Sequence, residues 1–242
     1  MNLAIDVGNT RTKLAVFEEN NSLEVVIVEK VRILNSVKAL CEKYPLQHAV
    51  LSSVAVVDEK ILDELNEMLP VFSVNHYVKL PFENAYKSPN TLGVDRIALV
   101  AAASKRFPSQ NTLIIDAGTC ITFDFLSAEN KYLGGAISPG LQMRYNALNH
   151  YTANLPKLQA EDLEDFVGTD TQDSIHSGVI NGVLNEIKGV MQQYEDRYGH
   201  LTVVLTGGDS NFLSKQLKST IFANQNFLLF GLNEILILNR NL

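Results

Sequence analysis

The feature that most constrains the fold is a short pattern that occurs twice. Leu3-Ala4-Ile5 leads into Asp6-Val7-Gly8-Asn9-Thr10-Arg11-Thr12-Lys13, and a second apolar run, Leu14 to Phe17, follows. A strand, a tight polar turn and another strand read as a β-hairpin. Thr112 to Phe125 repeats the plan: an apolar strand ends in Asp116, Ala117-Gly118-Thr119 makes the turn, and a β-rich run starts at Cys120. Two similar halves, each aiming a turn and an aspartate at one polyphosphate, explain the repetition better than two chance turns.

The first turn is crowded with phosphate-compatible groups. Gly8 lets backbone approach a ligand. Asn9 and Thr10 offer side-chain hydrogen bonds beside backbone N–H groups, as in an anion-binding nest. Lys13 supplies a point charge, and Asp6 is an acceptor for a hydrated cation. An ordinary hairpin turn has the same look, so the segment alone leaves both readings open.

A chain of 242 residues holds one large domain or two small ones. With 27 acidic and 20 basic side chains its net charge is −7, which argues against nonspecific nucleic-acid binding. Cys41 and Cys120 form no paired or metal-spaced motif, which fits a reducing, cytoplasmic setting. The opening residues carry no secretory-signal pattern, and no apolar run nears the roughly 20 residues of a membrane helix.

Along the chain, Leu23 to Glu29 predicts a third strand, its Val25-Val26-Ile27-Val28 run suggesting burial on both faces. Helical spacing covers Ile33 to Tyr44 and Asp58 to Leu69, with strands at His48 to Val54 and Val71 to Val74. Leu80 to Thr91 reads as loop and Leu92 to Phe107 as helix. The second half predicts strands at Thr112 to Asp116, Cys120 to Phe125, Lys131 to Ile137 and Leu201 to Thr206. Its helices fall at Leu141 to His150, Thr171 to Tyr198 and Asn211 to Leu217, and a strand at Phe227 to Leu229 precedes a helix at Phe230 to Asn239. Three early strands followed by βα units point to mixed sheets with helices outside. The best boundary lies near Gln110-Asn111, giving domains 1–110 and 111–242, with the terminal helix free to pack back on the first.

Asp95 falls in the first turn of a helix, where the dipole favours its charged form. It either serves that terminus or accepts a proton from an alcohol attacking phosphorus, a transfer in which positioning outweighs base strength. Arg96 suits a carboxylate or phosphate. Gly207-Gly208 after a strand is a helix-entry turn, or a flat surface for adenine or ribose. Thr171 reads as the cap of the long helix, or as a hydroxyl donor to a ligand. Gly178 and Gly182 would permit close approach of a helix or a second chain. The five histidines have no metal spacing, and no Walker-type or Gly-x-Ser-x-Gly motif occurs.

Five motifs occur together and in order: Asp6 to Lys13, Gly93-Val94-Asp95-Arg96, Asp116 to Thr119, Gly134 to Gly140 and Thr206-Gly207-Gly208. The set resembles type III pantothenate kinase, of the acetate kinase/Hsp70/actin superfamily. The resemblance implies an α/β fold of two ribonuclease-H-like (actin-like ATPase) domains, with mixed sheets flanked by helices and the active site in the inter-domain cleft. It implies transfer of the ATP γ-phosphate to pantothenate, the first step of coenzyme A synthesis. By motif match Asp6, Val7, Gly8, Asn9, Thr10, Arg11, Thr12 and Lys13 hold ATP, with Thr119, Gly207 and Gly208. Asp95 is the proton acceptor; Tyr86, Gly93, Val94, Asp95, Arg96 and Thr171 line the pantothenate site. Asp116 binds a monovalent cation, potassium or ammonium, and Mg2+ accompanies ATP. The family resemblance also implies a homodimer. Cys120 and Arg144 stand where smaller or shorter side chains are expected. Two other functions fit the same fold: an ATP-responsive regulator without catalysis, and an acyl-phosphate or polyphosphate phosphatase.

Overall fold

The computed structural model describes residues 1–8, 11–53, 58–163, 165–217 and 221–240. The expectations for Asn9, Thr10 and Val54 lie outside the described residues. The chain runs β1 (Asn2–Val7), β2 (Thr12–Glu18), β3 (Asn21–Val28), α1 (Ile33–Lys43), β4 (His48–Ser53), α2 (Glu59–Met68), β5 (Val71–Ser73), β6 (Glu83–Asn84) and α3 (Val94–Arg106). It continues β7 (Thr112–Ala117), β8 (Cys120–Leu126), β9 (Lys131–Pro139), α4 (Leu141–His150), α5 (Thr171–Tyr198), β10 (Thr202–Thr206), α6 (Ser210–Leu217), β11 (Phe222–Ala223) and α7 (Phe227–Asn239). The class is mixed α/β, with two mixed sheets flanked by helices. Two compact units emerge: Met1–Ser109 with Leu126–Gly134 and Asn226–Leu242, and Gln110–Phe125 with Gly135–Gln225.

The first unit is built on a sheet of order β3-β2-β1-β4-β5. Strand β1 pairs antiparallel with β2, setting Asp6 opposite Lys13 and Val7 opposite Thr12. It pairs parallel with β4, setting Asp6 opposite Ser52 and Val7 opposite Ser53. Register partners share a sheet face and successive residues alternate. One face therefore presents Leu3, Ile5, Val7, Leu14, Val16, Ala49 and Leu51, which pack with Ile33, Val37 and Leu40 of α1 and Leu65 of α2. The other face carries Asp6, Lys13 and Ser52. Helix α7 packs on β1, β4 and α3. Its Asn233 accepts from Asn2 Nδ2 at 2.9 Å and donates to Glu19 O at 2.7 Å, so buried amides fix its position.

Three expectations change here. Phe227 to Leu229 is the first turn of α7, not a strand. The helix is apolar on nearly every side because it is buried, and an apolar run without alternation has no period that separates the two. Strand β3 is not buried on both faces: it is a sheet edge, and Ile27 is 52% exposed. The stretch expected as loop contains β6, which pairs with Lys131 and Tyr132 of β9 inside this unit. Helix α3 starts at Val94, after a 3-10 turn at Pro89–Thr91.

In the second unit the strand order is β11-β10-β7-β8-β9. Thr206 at the end of β10 lies opposite Asp116 near the end of β7. Leu113, Ile115, Ala117, Ile121 and Phe123 pack with Leu141 and Tyr145 of α4 and with Ile175, Val179, Val183 and Ile187 of α5. Those α4 and α5 residues are the inward stripes that helical spacing predicts. Phe125 closes the far end against Tyr194 and Tyr198, with ring centroids 5.0 and 4.3 Å away.

Candidate functional site

In the first unit the turn after β1 is closed by Gly8 N–H donating to Arg11 O at 3.1 Å. Asn9 and Thr10 lie outside the described residues, and Arg11 is exposed. Val7 and Thr12 point their side chains to the α1–α2 core face, where Thr12 Oγ1 is buried with no hydrogen-bond partner among the described residues. Asp6 and Lys13 point to the opposite face. Burial pushes the Asp6 carboxyl up from 3.8 to about 6; the Lys13 ammonium pulls it back, and the Asp95 carboxylate adds to the rise. Two carboxylates and an ammonium from β1, β2 and α3 therefore feel one another's charge.

Asp95 reaches this group because α3 starts at Val94. The residue before it, Gly93, makes no side-chain cap, and a Cβ there would collide with Asp95 Oδ1. Glycine at that position lets the carboxylate fold back over the helix entry, where Asp95 Oδ1 accepts from Arg96 N–H at 2.8 Å. Val94 is half-buried. Arg96 is 6% exposed, with its guanidinium carbon 5.6 Å from the centre of the Tyr86 ring. Tyr86 in turn stacks on Tyr132 at 6.0 Å. The expected residues Tyr86, Gly93, Val94, Asp95 and Arg96 thus belong to one unit and, for Tyr86 and Arg96, touch directly.

In the second unit the corresponding aspartate has different company. Gly207 adopts φ +92°, and a Cβ there would collide with Asp116 Oδ1 and Ala117 O. Only glycine fits this left-handed turn at no distance from a carboxylate. Two oxygens thereby converge on the start of the Gly207-Gly208 bend, where Asp209 N–H donates to Ala117 O at 2.9 Å. Thr119 is exposed; the turn it belongs to is closed by Gly118 N–H to Cys120 O at 2.9 Å and by Gly140 N–H to Thr119 O at 3.1 Å.

Thr171 is not the cap of α5. Asp170 is, its side chain accepting from Asp173 N–H at 2.9 Å. Thr171 lines a hollow of about 1090 Å³ together with Leu148, Tyr151 and Ser174. Gly178 borders the same hollow. A Cβ at Gly178 would meet nothing within 4 Å, and one at Gly182 only Arg144 Nη1 at 4.0 Å. Among the described residues, close packing of another helix therefore does not account for the two glycines. Arg144 is occupied by Glu186 of α5, with Ser138 Oγ 3.0 Å from its Nη2.

Two residues escaped the sequence reading. Asp209 follows the double glycine, and burial raises its carboxyl. Ser52 is wholly buried beside Asp6 on the parallel neighbour strand. Its partner in space is far off in sequence, so no local signal marks it.

A family model described as type III pantothenate kinase matches residues 2–193. A type III pantothenate kinase of Flavobacterium johnsoniae is 46% identical over 235 residues, covering 97% of this chain and 96% of that protein. One of Christiangramia forsetii is 47% identical over 241 residues, covering 99% of each. Among solved structures, one described as a Baf family transcriptional activator from Campylobacter jejuni superimposes with TM-score 0.65 at 22% identity, covering 99% of this chain and 100% of that one. At that identity the likeness concerns the fold alone.

Proposed function

The chain belongs to the type III pantothenate kinase family, and from that premise we propose that it transfers the γ-phosphoryl group of ATP to the primary hydroxyl of pantothenate. The O–H proton of pantothenate goes to Asp95, the new P–O bond forms as the bond to ADP breaks, and 4′-phosphopantothenate and ADP leave. The near-full-length match to relatives of that name carries the reading. The physical support is the charge cluster of Asp6, Lys13 and Asp95, which joins an ammonium suited to phosphate with a carboxylate at a helix entry.

In this reading Lys13 and the N–H groups of the Gly8–Arg11 turn hold phosphate oxygens. Val7 and Thr12 contribute backbone, since their side chains face the core. Asn9 and Thr10 keep their motif roles as phosphate contacts. Arg96, braced by Tyr86, grips the pantothenate carboxylate as a planar fork. Gly93 and Val94 shape the wall beside Asp95, and Thr171 offers its hydroxyl to the same substrate. Thr119, Gly207 and Gly208 touch ATP.

Magnesium accompanies ATP, and the residues fit it: Asp6 is a half-buried carboxylate whose desolvation opposes ionisation unless a cation is near. The magnesium neutralises charge on the transferring phosphoryl group when bound. Asp116 takes a monovalent cation, a role that rests on its place in the Asp116 to Thr119 motif. The open Gly178 and Gly182 face of α5 is the contact of a homodimer. Among the described residues no helix is long and apolar enough to cross a membrane; we place the enzyme in the cytoplasm.

The test is a coupled assay of the full chain with Mg·ATP, with and without pantothenate, in potassium and in sodium buffer. Pantothenate-dependent ADP release, a phosphorylated pantothenate by mass spectrometry, and higher rates in potassium are expected. ADP or phosphate release that ignores pantothenate overturns the reading.

A further inference from the structure

On one sheet face of the first unit, three polar side chains stand in a row across neighbouring strands: Lys13 on β2, Asp6 on β1 and Ser52 on β4. The adjacent positions on each strand, Leu14, Val7 and Leu51, belong to the apolar core on the other face. Ser52 is 0% exposed, and its Oγ has no hydrogen-bond partner among the described residues. A buried hydroxyl left without a partner is destabilising. Alanine, of nearly the same volume, would avoid that cost.

The order of the row separates two kinds of ligand atom. Lys13 only donates, so it suits a phosphate oxygen. The ionised Asp6 only accepts, and the Ser52 hydroxyl accepts as well as donates. Waters on a cation point their hydrogens outward and need acceptors, and magnesium retains several of its waters when bound with phosphates. Two neighbouring acceptors beside a phosphate-binding ammonium match that demand.

We propose that Ser52 is a positioning residue for the magnesium that accompanies ATP, its Oγ accepting a hydrogen bond from a metal-bound water next to Asp6. This rests on the nucleotide-binding part of the function proposed above, not on pantothenate. Mg·ATP then supplies the hydrogen-bond partner that no described residue gives Ser52 Oγ. Stability given up without ligand is recovered as selectivity for the metal-loaded nucleotide.

The experiment compares the full chain with Ser52→Ala and Ser52→Thr. Thermal unfolding is followed while Mg2+ is titrated at a fixed concentration of a non-hydrolysable ATP analogue, without pantothenate. Ser52→Ala should unfold at the same temperature as the unaltered chain, or higher, when ligand is absent. The Mg2+ needed for half-maximal stabilisation should rise about 10- to 100-fold, the usual cost of losing an outer-shell partner. Stabilisation by the analogue without Mg2+ should not change, and Ser52→Thr should restore the Mg2+ response. An unchanged Mg2+ titration in Ser52→Ala overturns the proposal. So does a loss of ligand-free stability with equal weakening of the metal-free and metal-loaded titrations, which would mark Ser52 as packing only. A chain that shows the Mg2+ shift but ignores pantothenate in the kinase assay overturns the substrate and leaves Ser52 supported.

Discussion

The turn after Asp6 and the turn after Asp116 are written in nearly the same letters, yet the two aspartates meet different chemistry. Asp6 sits across from Lys13 and feels Asp95, so its surroundings mix one cation with a second anion. Asp116 sits against Gly207 and the carbonyl oxygen of Ala117, so oxygen and bare backbone adjoin it. A repeated strand–turn–strand plan thus sets where a carboxylate stands, while neighbours brought from elsewhere in each unit set what it can bind. The first environment mixes charges of both signs, and the second sets a carboxylate against the backbone of a glycine bend.

The sharpest way to break this contrast is at Asp95. Asp95→Asn should lower kcat by about 10²- to 10⁴-fold, the usual contribution of a positioned base, with ATP-analogue binding retained in a thermal-shift titration. Near-full turnover in that variant would return Asp95 to the role of a helix-start residue.

A smaller effect is expected from the charge state of Asp6. Its folded pKa of about 6 lies above the ordinary 3.8, so the fold favours the neutral acid. The associated stability is complete below pH 3.8 and is lost as pH rises through about 6. The ligand-free chain should therefore lose about 2–3 kcal/mol between pH 4 and pH 8 from this group, and Asp6→Asn should remove that part of the slope in urea unfolding. A slope that persists unchanged would assign it to other groups. Saturating Mg·ATP should also flatten it in the unaltered chain.

At the other turn, Gly207→Ala places a Cβ against Asp116 Oδ1 and Ala117 O at a positive φ. A cost of about 1–3 kcal/mol in unfolding is expected, together with loss of the potassium response in the kinase assay. If potassium activation survives the displaced carboxylate, Asp116 is not its ligand.

Much of the architecture was legible locally. The α4 and α5 stripes repeat at helical spacing, and they appear with the expected ends at Leu141–His150 and Thr171–Tyr198. Where the local signal is ambiguous, tertiary contacts decide the element. The apolar Phe227-Leu228-Leu229 carries no alternation, and burial on all sides suits a strand or a helix equally until α7 finds its place over β1 and α3. The valines of β3 look like core, but an edge position leaves Ile27 exposed. Thr171 has the chemistry of a cap, yet Asp170 one residue earlier takes that role with a charged acceptor.

By itself, the order of residues determined that two carboxylate-bearing turns exist, that Asp95 starts a helix, and that the chain belongs with a particular kinase family. Those are matters of neighbouring residues, whose spacing fixes hairpins, caps and helical stripes. Only the tertiary structure decided that Ser52 stands beside Asp6 and that Gly207 leaves room for Asp116. Each of those pairs joins distant parts of the chain through parallel strand pairing, and no local pattern encodes a partner that remote.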